Sequence, residues 1–455
     1  MTDLEPVVLH CGGRPPRRRG ALVTLSQLID AIIVRERLRN YSLIIVAFGA
    51  VTVLATAVLA PDKVLTDYLA HWTGGRMLLE GRGGLLYDAA LQLDLQRQVI
   101  GETDELSWFV SPPFVAVLYA SLAALPFGFS GIVWTALSIG ALALSAQLAR
   151  PLAPAWLQES WRLVLLVAAA SAPVLRLLGS GQDSALLLLV WVAGTRLLLA
   201  RRDAAAGVVL ALGLVKPQLV FLLPLVLLVQ GRWRALGAFA ATGIALLGLS
   251  VAAVGPSVTR TFLLLPFSDD YHRGVQLGQA WLMQGITALL TTLLPTSGAI
   301  AVQLVGSVLS AAVVLALLVR VARRRGRSVG DAQLWALVAV VTVLVSPHVL
   351  DYDLVVLFPA VLTALSDRRD TATRLTLLAL FVTTWTIPIR HVIAILLPWP
   401  LSTLGATWST VALLVLAWRV SRGWAATAAT PTFAGSPAAV TTSVPDPSNT
   451  ASKQT

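Results

Sequence analysis

The chain is poor in charge and in cysteine. Charged residues make up 13% of its 455 residues, and Cys11 is its single cysteine. Because about a quarter of the residues in soluble domains are charged, this composition excludes an ordinary soluble enzyme. One cysteine excludes an intrachain disulfide. Hydrophobic residues make up 56% of the chain, and the mean hydropathy is +0.78. These values are typical of a membrane protein with many spanning helices.

Lysine is also scarce. Only Lys63, Lys216 and Lys453 occur, and arginine supplies the other basic charges of a chain with a net charge of +11. The arginines form short clusters between apolar runs, a pattern typical of cytoplasmic loops rather than of a nucleic-acid-binding surface. We place the strongest clusters in the cytoplasm: Arg201–Arg202, Arg232–Arg234, Arg320–Arg327 and Arg368–Arg374.

The two ends of the chain differ from its apolar middle. Residues 1–40 are polar and basic, and we interpret them as a cytoplasmic leader with an amphipathic helix on the anionic membrane surface. The apolar face of that helix would consist of Leu25, Leu28, Ile29, Ile32 and Ile33. Residues 424–455, rich in Thr, Ala, Pro and Ser, predict a disordered cytoplasmic tail. A transmembrane domain is therefore predicted over residues 41–423, beginning with an uncleaved span over Tyr41–Ala60.

Residues 61–111 interrupt the apolar pattern, and we predict that they form a long, structured first external loop. They contain many of the acidic residues: Asp62, Asp67, Glu80, Asp88, Asp94, Glu102, Asp104 and Glu105. Within the loop, Leu91, Leu95 and Val99 recur on one helical face, which predicts a short interfacial helix.

Further apolar runs follow the loop. They cover residues 112–127, 131–149, 162–178, 183–200, 204–214, 217–230, 236–254, 298–320, 332–346, 349–365, 375–390 and 404–420. Residues 112–178 hold three runs where an even number of crossings is needed, so we expect the run at 162–178, with Pro173 and Arg176, to be partial or re-entrant. Residues 255–297 are interpreted as a second external loop. The sequence predicts an all-α polytopic membrane protein with about twelve transmembrane helices.

Asp67 is the first candidate for chemistry. It lies a few residues past the first span, at the membrane–water boundary. Desolvation raises the pKa of a carboxylate at such a position and suits it to act as a general base. The alternative is that Asp67 caps the N-terminus of a helix over residues 68–79, which its position and residue type also favour.

Lys216 is the second candidate, because it interrupts residues 204–230, which contain no other charge. Pro217 favours a break at this point, so we predict two short helices that meet at the external face. There the ammonium group would bind a phosphate or a lipid head group. The alternative is a lysine at a helix end whose amine extends to water.

Two polar turns complete the set of candidates. The predicted turn Ser346–Asp353 contains His348 and the pair Asp351-x-Asp353, which is compatible with a divalent cation or with a capped helix start. The break Gly179–Ser184 is either a capped turn or the wall of a polar cavity. The second external loop leaves similar alternatives open for Asp269, Asp270, His272 and Arg273.

In their order, these motifs resemble glycosyltransferase family 87, the polyprenyl-phosphate-mannose-dependent mannosyltransferases of the GT-C class, over residues 41–420. The motifs are Thr66-Asp67-Tyr68 with Trp72, Gly81 and Leu86-Tyr87-Asp88, then Ser111-Pro112-Pro113-Phe114, Gly181-Gln182-Asp183, Ala206-Gly207, Lys216-Pro217 and Ser346-Pro347-His348. The sequence contains no nucleotide-binding loop, no Cys/His metal cluster and no nucleophile elbow. A donor carried in the lipid phase agrees with these absences.

The resemblance implies a GT-C fold in a bacterial plasma membrane, with the N-terminus in the cytoplasm and the active site on the external face. It implies transfer of a sugar, expected to be mannose, from a polyprenyl-phosphate donor to a lipid-linked or glycan acceptor of the cell envelope, with inversion. Asp67 matches the first-loop aspartate of the family and would be the general base. Members of this class that use monosaccharide donors generally need no metal, so we expect no metal or other cofactor.

The resemblance also suggests binding residues. Cations near the leaving phosphate would stabilise its charge, and the candidates are Lys216, His348, Arg176 and Arg273. The candidates for contact with the substrates are Tyr68, Trp72, Gln182 and Asp353. The turn after Ser346-Pro347 departs from the family in having few histidines and aromatics, which leaves the donor sugar open.

Two other functions remain compatible with the sequence. A lipid or solute transporter would also contain an intramembrane lysine and broken helices, but the chain shows no internal repeat and its first loop is long. An enzyme predicts Asp67 within reach of Lys216 and His348, whereas a transporter predicts a site at the membrane midplane between related halves. An inactive scaffold of the same fold is the third possibility.

Overall fold

The computed structural model describes residues 34–268, 271, 275, 279, 281–294, 299–324, 331–366 and 370–427. Within these ranges every regular element is a helix, and a single isolated β-bridge joins Met283 to Leu350. The prediction of an all-α chain is therefore confirmed for the described residues. The predicted amphipathic helix at Leu25–Ile33, within the leader, lies outside them.

In chain order, the α-helices up to the first polar break are α1 Arg35–Leu59, α2 Thr66–Leu79, α3 Ala89–Ile100, α4 Pro113–Ala123, α5 Phe127–Ala149, α6 Ala155–Gln158, α7 Trp161–Ala169 and α8 Ala172–Ser180. The next are α9 Ser184–Leu199, α10 Asp203–Ala211, α11 Leu222–Gln230, α12 Trp233–Leu264, α13 Ile286–Leu293 and α14 Ala299–Ala322. The last are α15 Asp331–Val345, α16 Phe358–Ala364, α17 Thr371–Trp385, α18 Ile387–Leu396 and α19 Ser409–Thr427. Short 3₁₀ helices cover Pro61–Lys63, Gly83–Leu85, Arg150–Leu152, Leu212–Val215, Pro217–Leu219, Leu265–Phe267, Asp351–Leu357 and Leu401–Gly405.

In the part of the chain that the structure describes, fewer helices than predicted are long and apolar enough to span a membrane. Four described segments qualify alone: Arg35–Leu59, Phe127–Leu152, Trp233–Phe267 and Ala301–Ala322. Two bent helix pairs raise the number to six, and four more apolar helices are only 10–17 residues long. A ~30 Å hydrocarbon core needs about 20 helical residues, so the prediction of about twelve spans is not confirmed.

The predicted irregular run at 162–178 is present as one of the bent pairs. Helices α7 and α8 meet at an angle of 57°. Pro173 lies in the first turn of α8, where its missing N–H group costs no helical hydrogen bond. The other bent pair is α17 and α18, which meet at 61°. The break predicted at Lys216 is also present, since 3₁₀ turns on both sides of Lys216 separate α10 from α11.

Residues 61–111, predicted to form a first external loop, are structured. Helix α3 is capped by Asp88, whose Oδ1 accepts a hydrogen bond of 2.8 Å from the Leu91 N–H. The buried amides of Gln92 and Gln96 hold the extended segment that follows: Gln92 Oε1 accepts from the Phe109 N–H at 2.8 Å, and Gln96 Oε1 accepts from the Ser107 N–H at 3.0 Å. These bonds satisfy backbone groups that no helix or sheet pairs.

The central and peripheral helices differ in the burial of their side chains. Helix α15 is central, because its residues from Leu334 to Val345 are almost completely buried. Helix α1 is peripheral and exposes large apolar side chains such as Phe48, Leu54 and Val58, as expected of a helix that faces lipid. It begins at Arg35, inside the predicted leader, and α19 ends at Thr427, inside the predicted tail. The remainder of the tail lies outside the described residues.

Candidate active site

Lys216 lies at the centre of a buried polar cluster to which three separate chain segments contribute. Its Nζ atom is 3.0 Å from Asp183 Oδ1 and 2.8 Å from Asp353 Oδ1. The same Nζ donates a hydrogen bond of 2.9 Å to Ser184 Oγ. Two of the contacts of Lys216 are hydrogen bonds, to Ser184 and Asp353, and the third, to Asp183, is an ion pair. The cluster combines one positive charge with two carboxylates.

Gly181 explains how the chain brings Asp183 into this cluster. Its φ of +73° ends helix α8, and a Cβ atom at this position would lie 2.6 Å from Tyr68 Cβ. Only glycine fits both conditions. The Gly181 carbonyl accepts a hydrogen bond of 2.7 Å from Trp134 Nε1. Asp183 immediately precedes α9, but its side chain forms no cap and instead contacts Lys216.

Asp67 lies beside the Lys216 cluster, in the first turn of helix α2. Leu65 occupies the N-cap position of that helix and makes no side-chain cap, so the expectation that Asp67 caps it is wrong. Asp67 interacts electrostatically with Lys216, His71 and Asp183. Burial raises the pKa of Asp67, and although the Ser180 hydroxyl and Lys216 lower it, the net direction is upward. A carboxylate in this condition is a stronger base than an exposed aspartate.

His71 connects α2 to the same cluster. Its Nδ1 is 2.8 Å from the backbone carbonyl oxygen of Asp67. Its Nε2 is 3.2 Å from Ser111 Oγ and 3.6 Å from Asp183 Oδ2. The imidazole therefore fixes the first turn of α2 relative to the segment that carries Asp183. His71 was not among the predicted site residues, although it lies one helical turn after Asp67.

Tyr68 and Trp72 were predicted to contact a substrate, and the structure places both in an aromatic cluster. Tyr68 is fully buried and stacks on Trp134 and Phe127, with ring centroids 5.7 and 5.9 Å away. Its hydroxyl group is hydrogen-bonded to Ser130. Trp72 is only 7% exposed. Both rings pack helix α2 against α5 and thereby fix the position of Asp67.

Gln182 and Asp353, the other predicted substrate contacts, both belong to the polar cluster. Gln182 Nε2 donates a hydrogen bond of 2.9 Å to the Tyr352 hydroxyl. Asp353 accepts from Ser184 Oγ at 2.5 Å and, through its other oxygen, from the Leu350 N–H at 3.1 Å. The second of these bonds caps a helix start, as one alternative for this turn predicted.

A second charged group lies around Asp351. Arg176 Nη1 is 2.7 Å from Asp351 Oδ2, and Arg390 in helix α18 interacts electrostatically with both residues. Arg390 was not among the predicted candidates. The available signal was its position within the apolar run 375–390, where a charge is costly.

The alternative of a metal site at Asp351-x-Asp353 receives no support from the geometry. Asp351 pairs with Arg176, whereas Asp353 pairs with Lys216, so the two carboxylates are directed to different cations. In the part of the chain that the structure describes, no group of three or more His, Cys, Asp or Glu residues is arranged to hold a metal ion.

His348 lies in the turn after α15, where its Nδ1 atom is buried without a hydrogen-bond partner. Burial lowers the pKa of His348 to about 4, despite an opposing effect of Asp353. The imidazole is therefore neutral at neutral pH, and it can offer a ligand a hydrogen bond but no charge. Arg273 and the neighbouring Asp269, Asp270 and His272 lie outside the described residues.

Two surface clefts are separate from these clusters. One of about 500 Å³ is lined by Ala316, Val319, Arg320, Arg323 and Arg324. The other, of about 320 Å³, is lined by residues around Asp370 and Arg419. Neither cleft contains a predicted site residue.

A family model matches the chain. The family model of glycosyltransferase family 87 matches residues 109–347, slightly more than half of the chain. The matched region contains Arg176, Gln182 and Lys216 and ends directly before His348, whereas Asp67 and Arg390 lie outside it. No curated protein and no solved structure matches the chain significantly.

Proposed function

The chain belongs to glycosyltransferase family 87, and we propose that it transfers a sugar, expected to be mannose, from a polyprenyl-phosphate donor to an extracytoplasmic lipid-linked or glycan acceptor. Membership of the family makes the chain a glycosyltransferase, and its long apolar helices agree with an integral membrane protein. The donor, the acceptor, the external location of the site and the residue roles given below are parts of the proposal.

The observation that carries the mechanism is the environment of Asp67. Its carboxylate is partly buried, has a raised pKa and lies beside the charged cluster at Lys216. In the proposed step, Asp67 takes the proton of an acceptor hydroxyl while the hydroxyl oxygen attacks the anomeric carbon. The bond between that carbon and the donor phosphate breaks, the polyprenyl phosphate leaves with the electron pair, and the configuration inverts.

The leaving phosphate gains negative charge and needs compensating groups. Arg176 is suited to this role because its side chain is 25% exposed although it pairs with Asp351. His348 would donate a hydrogen bond from a neutral ring. Lys216 would reach the phosphate only by exchanging one of its three partners, so we propose that it chiefly holds Asp183 and Asp353 beside Asp67. Arg273 stays a candidate from the sequence.

Gln182 and Asp353 are the proposed contacts for the sugar, since amide and carboxylate groups pair well with hydroxyls. Their bonds to Tyr352 and Ser184 fix both side chains. Tyr68 and Trp72 stay assigned to the site, but as residues that position helix α2.

The test is transfer by the Asp67→Asn variant. We expect its rate to fall by about 10²- to 10⁴-fold, the usual contribution of a general base, while binding of polyprenyl-phosphate mannose is retained. The matched control is Asp88→Asn, at an exposed helix cap where asparagine serves as well as aspartate. Near-normal turnover by Asp67→Asn in proteoliposomes would contradict the assignment of the base.

The donor is tested with the unmodified protein. Purified enzyme is incubated with polyprenyl-phosphate mannose and, separately, with the arabinose and glucose analogues, and the lipid products are analysed by mass spectrometry. A new glycolipid with the mannose donor is the expected result. Movement of labelled polyprenyl phosphate across the bilayer with no product from any donor would favour the alternative, a lipid transporter.

A further inference from the structure

The two bent helix pairs are joined to each other at their bends. Trp385, the last residue of α17, donates an indole hydrogen bond of 3.2 Å to the carbonyl of Ala170, which lies between α7 and α8. Each second half-helix begins with a proline in its first turn and carries an arginine, Arg176 in α8 and Arg390 in α18. The two breaks therefore place two arginines in the same region.

Arg390 is anchored at one end only. Its Nη1 atom donates to the carbonyl of Ala406 at 2.6 Å, and Gly405 allows this approach because a Cβ there would lie 2.4 Å from the Arg390 carbonyl oxygen. The residue is 6% exposed, and its Nε and Nη2 atoms have no hydrogen-bond partner. Buried donors of this kind are normally satisfied, so two N–H groups on one edge of the guanidinium group can take a ligand.

Two arginines lie within electrostatic range of one buried carboxylate, Asp351. Asp351 is fully buried and pairs with Arg176, and Arg390 adds a second cation within electrostatic range of both. Asp353 of the Lys216 cluster also acts on Asp351, but the Arg390 guanidinium group donates its one hydrogen bond to a backbone carbonyl among the described residues. Leaving a buried charge uncompensated is costly, and an anion at the free edge of Arg390 would compensate its charge.

We propose that Arg390 and Arg176 together form a binding site for the phosphate group of the polyprenyl-linked donor, with Arg390 as its principal ligand. This inference rests on the proposed function, which supplies the identity of the lipid. The Nε and Nη2 atoms form one edge of a guanidinium group, and such an edge matches two oxygens of a phosphate.

The site also suits the change of charge during the reaction. A polyprenyl-phosphosugar is a phosphodiester with one negative charge, which the free edge of Arg390 would compensate. When the sugar leaves, the phosphate becomes a monoester and gains further negative charge, since the second pKa of such a phosphate is about 6. Two arginines are always protonated and would stabilise the product more than the donor.

Asp351 has the opposite role in this site. In the structure it is the anion closest to Arg176, so it competes with a phosphate for the same guanidinium groups. Removal of its charge should therefore strengthen phosphate binding, whereas removal of either arginine should weaken it. If the group had a purely structural role, loss of Asp351 and loss of an arginine would not change phosphate binding in opposite directions.

The experiment measures binding of sugar-free polyprenyl phosphate to the full-length protein in nanodiscs of zwitterionic lipid. We expect Arg390→Gln to weaken binding by about 10- to 100-fold, the loss of a hydrogen-bonded charged partner, and Asp351→Asn to strengthen it. Arg419→Gln is the matched control, since Arg419 pairs with Asp370 at 2.6 Å at the far end of α17, and its affinity should not change. Unchanged binding by Arg390→Gln, or weaker binding by both Arg390→Gln and Asp351→Asn, would overturn the proposal.

A second arm identifies the source of the phosphate. Inorganic phosphate and an anionic phospholipid are added as competitors, and neither should displace polyprenyl phosphate at comparable concentration. Displacement by the phospholipid would show a general lipid headgroup site and contradict the donor assignment. The measurement needs no sugar transfer, so Arg390-dependent binding without transferase activity would contradict the proposed function alone. Loss of sugar transfer in Asp67→Asn, together with unchanged binding of polyprenyl phosphate by Arg390→Gln, would contradict this inference alone.

Discussion

Lys216 and Arg390 are both buried cations in otherwise apolar sequence, but their surroundings differ. Lys216 is 8% exposed, donates hydrogen bonds to Ser184 and Asp353, and forms an ion pair with Asp183. Arg390 is 6% exposed and has one backbone partner, with two nitrogens unpartnered. The two cations therefore do not differ in burial. They differ in how many of their N–H donors have partners.

The difference extends to the segments that the two cations join. Lys216 links the Asp183 turn to the Asp353 turn beside the proposed base, and it keeps negative charge concentrated there. Arg390 and Arg176 lie on the second halves of two bent helices and are within electrostatic range of each other. Under the two proposals, the Lys216 side of the site is an acidic part that takes a proton, and the arginine side is a basic part that holds a phosphate.

The largest expected effect is on stability. Lys216→Met leaves Asp183 and Asp353 buried without their cation, so we expect the free energy of unfolding to fall by about 3–5 kcal/mol. Arg390→Met removes only one hydrogen bond, and the expected loss is about 1 kcal/mol. Unfolding of both variants by detergent titration in mixed micelles gives the comparison. Equal losses would remove the distinction between the two cations.

A double variant sharpens this result. When Asp353→Asn is added to Lys216→Met, one of the two uncompensated carboxylates is removed. The double variant should therefore be more stable than Lys216→Met alone. Interaction energies between such neighbours are about 0.5–3 kcal/mol, and we expect recovery of about 2 kcal/mol. Additive losses in the same detergent titration would show that Lys216 and Asp353 do not stabilise each other.

Local sequence patterns predicted the elements of this site better than they predicted its contacts. Pro217 beside a lone lysine predicted the break at Lys216, and Pro173 predicted the bend between α7 and α8. Both breaks are properties of a few adjacent residues, because proline removes a backbone donor. The short helix α3 followed from the spacing of Leu91, Leu95 and Val99 in the same way.

The partners of these residues could not be predicted, because they depend on long-range packing. Asp353 reaches Lys216 across 137 positions of sequence, and Trp385 reaches Ala170 across 215. From the sequence, Asp67 was either a helix cap or a general base. The start of α2 at Thr66 excludes the cap. Arg390 lies at the end of an apolar run, where the sequence alone did not mark it as a site residue. Its unpartnered nitrogens in the structure distinguish it from a structural arginine. The predicted number of spans is not confirmed, because many apolar runs fold as short or bent helices.

The pH dependence of transfer tests the acidic part of the site. Asp67 must be ionised to act as a base, and its pKa is raised by burial, so the rate should fall about tenfold per pH unit below a pKa higher than that of an exposed aspartate. His71 lowers this pKa, and His71→Gln should therefore move the acid limb to higher pH. Arg390→Met should lower the rate without moving the limb. A shift of the limb in Arg390→Met of the same size as in His71→Gln would contradict the separation into two parts.

The smallest expected effect concerns the bond between the two bends. Trp385→Phe keeps a ring but removes the indole donor, so the Ala170 carbonyl loses its partner and the unfolding free energy should fall by about 1 kcal/mol. If this bond holds Arg176 and Arg390 at the right separation, the affinity for polyprenyl phosphate should also fall several-fold. Trp408→Phe is the matched control, because that exposed indole donates to the Leu404 carbonyl at 3.2 Å within its own segment. The control should keep its affinity, and a loss of stability in Trp385→Phe with full affinity would show that the two arginines are positioned independently of the bends.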